Sequence, residues 1–238
     1  MSSATLLVTA AHIAKDWNSC SLQILGIKNI VPIVPLNQLV FSTADIAETS
    51  ETKDKLDFAL AVLDLPRMKE SPGVTAVTPV ELDLSDRGDP EQLYGFVGFP
   101  GSKNRSWQGR FPNHVVFLAG QLAESSVIAR LGLHRDTHLV MNFSRKRMRD
   151  ESDNLVTAPD PHGMSGGPVF RLGTAAEIRA GTASPKVVAI ALRWPEQQLV
   201  VGVRIALVIE AVRRILPELS QELPEPKHIR ALVSISEG

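Results

Sequence analysis

Three short segments carry side chains able to perform acyl-transfer chemistry: Val8-Thr9-Ala10-Ala11-His12, Asp57-Phe58-Ala59-Leu60-Ala61 and His162-Gly163-Met164-Ser165-Gly166-Gly167-Pro168. A serine hydroxyl is a weak nucleophile at its own pKa, so it needs a base within hydrogen-bond reach and a third group to orient that base. Ser165, His12 and Asp57 can fill those three roles. Gly163 and the Gly166-Gly167 pair permit a tight turn in which the N–H groups of Gly163 and Ser165 converge as donors to the oxyanion of a tetrahedral intermediate. Singly, each segment is weak, because a histidine near a strand end is usually structural and Ser-Gly-Gly-Pro is usually a turn.

Strands must position these residues. Sixteen glycines and sixteen prolines are scattered between short runs rich in Val, Ile and Leu, the pattern of an all-β chain with many turns. The runs predict strands over 5–9, 21–23 with a continuation to 33, 58–63, 93–98, 114–118, 138–143, 169–172, 187–192 and 199–204. His12 then follows one strand, Asp57 opens another and Ser165 precedes a third. Asp54 and Asp64 flank Asp57, but only Asp57 leads into the small and apolar alternation of a buried strand. One helix is expected over 205–216, ended by Pro217 and lying sidelong on the β core through Ile205, Val208, Ile209, Val212, Ile215 and Leu216. The polar stretch 83–90 is the linker candidate, dividing the chain into 1–88, 89–217 and a tail over 218–238.

The three segments together resemble the trypsin-like, chymotrypsin-fold serine protease family in its broad bacterial branch. Residues 8–12 are similar to that family's Thr-Ala-Ala-His signature, 57–61 to its Asp-x-Ala strand start and 163–168 to its Gly-x-Ser-Gly-Gly-Pro loop. The spacings, 57 − 12 = 45 and 165 − 57 = 108, are of the size the family uses. Weaker likenesses run through 95–101, 187–194 and the terminal helix. The resemblance implies two antiparallel, six-stranded-type β-barrels, with His12 and Asp57 from the first and Ser165 from the second. It further implies that His12 acts as general base and then acid, that Asp57 orients it, and that Ser165 forms an acyl-enzyme on a peptide or protein substrate. By position, the floor of the specificity pocket falls near Pro159 and its wall at Leu192, Arg193 and Trp194, with Asp160 close by.

The chain also departs from the family. Only eleven residues precede His12, where two further strands are usual, so the first barrel is expected to be short and open-edged. Such an edge invites a regulatory partner or self-association, or closure by residues 229–235 in cis or in trans. Met164 stands where many secreted members carry an Asp that pairs with a freed N-terminus, so zymogen cleavage of that kind is not expected.

Charge and composition exclude other classes. Lys plus Arg (25) balances Asp plus Glu (26), so no global field recruits nucleic acid or an anionic membrane. The cluster Arg145-Lys146-Arg147-Met148-Arg149 reads as a solvated hairpin tip pairing locally with Asp150 and Glu151. The single cysteine, Cys20, forms no internal disulfide and fits a reducing, cytoplasmic setting. No cofactor or metal is expected; His114, His134, His138 and His228 adjoin no catalytic signature, and His162, three positions from Ser165 on a tight loop, is expected to point elsewhere. An α/β-hydrolase is excluded by chain order, because that fold runs Ser, acid, His. Serine endopeptidase is thus the leading expectation, and a pseudoprotease that binds peptides without turnover is the alternative.

Overall fold

The computed structural model describes residues 5–14, 23–25, 30–32, 57–63, 76–103, 114–149, 152, 154–195, 198–221 and 223–226. In chain order these form β1 (Thr5–Ala10), α1 (Ala11–Ala14), β2 (Gln23–Leu25), β3 (Ile30–Pro32), β4 (Phe58–Leu63), β5 (Gln92–Gly98) and β6 (Val116–Leu122). There follow α2 (Ser125–Arg130), β7 (His138–Asn142), β8 (Met148–Arg149), β9 (Leu155–Val156), β10 (Pro168–Thr174), α3 (Ala175–Ala180), β11 (Lys186–Arg193), β12 (Leu199–Arg204) and α4 (Ile205–Ile215).

Six strands close an antiparallel barrel in the order β10-β11-β12-β7-β6-β5. Its interior is filled by Tyr94, Phe96, Leu118, Leu139, Met141, Val169, Val188 and Val200, each 2% exposed or less. Burial of a side chain of this size stabilises the fold by about 1.5–3 kcal/mol relative to leaving it in water. In the other half of the chain β1 pairs antiparallel with β4, Ala10 opposite Phe58 and Thr5 opposite Leu63, while β2 and β3 form a separate hairpin. The fold is all-β, and this barrel, carrying the Ser165 loop, is the closed barrel among the described residues.

Several expectations need correction. Within the strand expected over 21–23 and on to 33, the described residues form two three-residue strands, Gln23–Leu25 and Ile30–Pro32, paired antiparallel. The strand expected at 114–118 lies instead at Val116–Leu122, where Gly120 passes so close to β7 that a Cβ there would meet the Asn142 carbonyl oxygen at 2.0 Å. Helix α4 is not a one-faced surface helix. Every residue from Ile205 through Val212 is buried, because the helix fills the space between β11, β12 and the β1/β4 pair, sharing a cluster with Ala10, Phe58 and Leu60. Strand β12 is likewise buried at all six positions: Val200 faces the barrel interior, Leu199 and Val201 lie with Val127 and Ile128 of α2, and Val203 lies with α4. That two-sided cover explains an apolar run where a half-solvated strand would alternate.

Segment 83–90, the linker candidate, is tied to the barrel by ion pairs and hydrogen bonds. Asp83 binds Arg171 at 3.0 Å, and its N–H donates to the Val187 carbonyl at 2.9 Å. Asp86 accepts from Arg204 Nη1 at 2.9 Å and from the Tyr94 hydroxyl at 3.0 Å, with the Asp86 and Arg204 side chains only 3% and 6% exposed. Arg145 of the basic cluster also turns inward: its Nε donates to the Ala158 carbonyl at 3.1 Å, and it lies 3.6 Å from Asp160. Segment 229–235, Cys20, Asp54, Asp64, Asp150, Glu151 and His228 lie outside the described residues. Among the described residues, no helix is long and apolar enough to cross a membrane.

Candidate active site

His12 sits on the single helical turn that follows β1, and Asp57 immediately precedes β4. The β1/β4 register, with Ala10 opposite Phe58, brings these two ends side by side, and the Ala11 N–H continues the ladder to the Asp57 carbonyl at 3.0 Å. Asp57 then engages His12 twice. Its Oδ1 accepts from the His12 backbone N–H at 2.9 Å, and its Oδ2 is hydrogen-bonded to His12 Nδ1. This double contact fixes the ring with Nδ1 committed to the carboxylate, which leaves Nε2 to act on a substrate or nucleophile. The His12 and Asp57 side chains are 43% and 26% exposed, so the pair is open to solvent on one side.

Ser165 lies on the loop that leads into β10. The Met164 N–H donates to the Pro161 carbonyl at 2.9 Å, and the Gly167 N–H to the Met164 carbonyl at 3.2 Å. Two bonds tie the loop to β11: Gly166 N–H to Ala191 O at 2.7 Å and Ala191 N–H to Gly167 O at 2.8 Å. Gly163 and Gly166 adopt φ of +92° and +84°, a region that L side chains rarely enter. Met164 is 1% exposed and plugs the barrel interior beside Gly98, anchoring the loop by apolar burial.

The loop abuts the histidine strand. A Cβ on Gly166 would meet Thr9 Oγ1 at 2.2 Å and the Ala10 N at 3.2 Å, so Ser165 is held next to the strand end that bears His12. The Ser165 hydroxyl makes no hydrogen bond to His12, and the N–H groups of Gly163 and Ser165 are engaged by no acceptor among the described residues. Both donors therefore remain available at the turn where the sequence places them.

The residues assigned to substrate recognition are less uniform. Pro159 is half-buried, and Arg145 holds the preceding Ala158 at both its N–H and its carbonyl. Arg193 is exposed. Trp194 stacks on Phe96 with ring centroids 4.9 Å apart, and its indole nitrogen is buried without an acceptor among the described residues. Leu192 is 1% exposed and belongs to the core cluster of Phe58, Leu60 and Ile190, so its side chain packs behind β11. His162 is exposed, and its backbone N–H caps Asp160 at 3.0 Å. The approach of Thr9 to Gly166 and the grip of Arg145 on Ala158 escaped sequence reasoning, because each joins residues from different segments of the chain. Among the described residues no group of three His, Cys, Asp or Glu could hold a metal ion.

Comparison with solved structures identifies the fold. Neuropsin, a serine protease expressed in the limbic system of mouse brain, matches with a TM-score of 0.53 and 12% identity, over 89% of this chain and 85% of its own. An inactivated protease paralogue of the scabies mite matches with a TM-score of 0.56 and 11% identity, over 94% and 86%. The chain has the chymotrypsin-like fold of these trypsin-like proteases. No protein-family model matches the chain, and no curated protein sequence does.

Proposed function

We propose that this protein is a serine endopeptidase that cleaves peptide bonds through an acyl-enzyme. The observation that carries the reading is the double contact of Asp57 with His12, at a strand end packed against the Ser165 loop. Asp57 fixes the His12 tautomer and stabilises the imidazolium. His12 Nε2 takes the Ser165 proton as Oγ attacks the scissile carbonyl, and the free N–H groups of Gly163 and Ser165 receive the oxyanion. His12 then gives the proton to the departing amine, and water attacks the acyl-enzyme by the same route. The missing Ser165–His12 hydrogen bond accords with free enzymes, whose catalytic hydrogen bonds often tighten only with substrate bound.

The same missing bond favours a second reading, a peptide-binding pseudoprotease, and the similar scabies mite paralogue is described as inactivated. A fluorophosphonate probe separates the readings. Covalent labelling that disappears in Ser165→Ala and falls at least about hundredfold in His12→Ala is expected for an activated serine. A folded chain that resists the probe supports the pseudoprotease.

A further inference from the structure

We infer that the chain carries a second binding site, for a small apolar monocarboxylate, at the end of the barrel where β12 gives way to α4. A cavity of about 230 Å³ opens there, and none of its lining residues belongs to the candidate active site. One wall is apolar, built from Leu122, Ile128 and Val140. The lining also includes three arginines, Arg87, Arg135 and Arg204.

Arg204 marks this as a built site. Its side chain is 6% exposed and is held rigidly, Nε to the Arg135 carbonyl at 2.6 Å and Nη1 to the Asp86 carbonyl and carboxylate at 2.8 and 2.9 Å. Those bonds leave Nη2 without an acceptor among the described residues. Nη2 lies on the cavity side, 3.4 Å from the point a Cβ on Gly88 would occupy, and Gly88 itself lines the cavity. A guanidinium held in place through Nε and Nη1, with Nη2 left without an acceptor among the described residues, is poised to bind a carboxylate, whose geometry matches its planar donors. Arg87 and Arg135 are exposed at the mouth. Arg135 Nη2 reaches the Arg87 carbonyl at 3.3 Å, and the Arg87 guanidinium has no acceptor among the described residues.

Charge and size narrow the ligand. Asp86 neutralises Arg204 from behind, and Glu124 also lines the cavity, so three cations against two anions suit a monoanion better than a phosphate dianion. The volume lies below the roughly 300–1,000 Å³ of pockets for drug-sized molecules. The apolar wall selects for a short hydrocarbon chain on the acid.

Isothermal titration of the full chain with 4-methylpentanoate tests the inference, alongside the isosteric neutral 4-methylpentanamide and plain acetate. Saturable binding of the branched acid is expected, weaker by at least about tenfold for the amide and for acetate. The double variant Arg87→Ala/Arg135→Ala, altered only at exposed side chains and checked for native circular dichroism, should weaken the acid by a similar factor. Absence of saturable binding, equal affinity for the amide or acetate, or unchanged affinity in the double variant would each overturn the assignment.

Discussion

Gly166 and Gly181 separate two costs that a positive φ usually combines. At Gly181, φ is +68° and nothing lies within 4 Å of an added Cβ, so Gly181→Ala meets only backbone strain, about 1–2 kcal/mol. At Gly166, with φ of +84°, the added carbon also collides with Thr9 Oγ1 at 2.2 Å. Gly166→Ala should therefore lower the melting temperature more than Gly181→Ala and should also slow fluorophosphonate labelling by pushing the Ser165 loop off β1. Thermal denaturation of both variants with parallel labelling rates checks this. Equal destabilisation with unchanged labelling would show that the loop does not depend on its contact with Thr9. The pairing of His12 with Asp57 was legible from residue type and order, whereas the catalytic role of these two with Ser165 belongs to the proposed function. The burial of the Leu192 side chain was not legible, since nothing local distinguishes the two faces of a strand covered on both sides.

Among the elements, α3 shows how a short helix is held by its ends. Thr174 caps it, accepting the Glu177 N–H at 3.2 Å, while the Glu177 carboxylate accepts the Thr174 N–H at 2.7 Å and the Thr174 hydroxyl at 3.0 Å. The Thr174 N–H, then its hydroxyl, hold the Glu177 carboxyl below the usual carboxylate range. Because the folded value is the lower one, this contribution is present above the unfolded pKa and is lost as pH falls through the folded value. Thr174→Ala should accordingly destabilise the protein at neutral pH and flatten the acid limb of its stability curve, read by urea melts at pH 7 and pH 3. For α4 the expected penalty is larger. Leu207 is 2% exposed in a helix covered on all sides, so Leu207→Ala should cost about 2–5 kcal/mol in denaturant unfolding.

Across the whole molecule, the Asp86–Arg204–Tyr94 network ties the connecting segment 83–90 to both β5 and β12. Removing one partner of a buried ion pair leaves the other charge uncompensated, so Asp86→Ala should cost about 3–5 kcal/mol. Burial, and then the negative charge of Asp86, raise the Tyr94 hydroxyl well above the ordinary tyrosine value. The neutral phenol is thus favoured by folding. Its contribution is complete below about pH 10 and declines as pH rises further, where the unfolded chain ionises first. Tyr94→Phe should cost about 1 kcal/mol at neutral pH through the lost hydrogen bond. It should also reduce the alkaline loss of stability, and an alkaline limb identical to that of the unaltered chain would remove Tyr94 as its source.

Legible in the chain itself are local patterns: the short Val-, Ile- and Leu-rich runs of the barrel strands, the apolar run of α4, and the glycines around Ser165 that permit a tight turn. These are short-range properties, because strand alternation, helix propensity and positive φ are each imposed within a few residues. Tertiary structure decided the rest. The His12–Asp57 contact spans 45 positions and the Asp86–Arg204 pair 118, and both exist only because strand register brings remote ends together. The two-sided burial of β12, the burial of α4 from Ile205 through Val212, the burial of Leu192 and the lack of an acceptor for Arg204 Nη2 among the described residues depend on which element lies opposite. That is a property of the packed molecule, which no residue's own neighbours in the chain encode.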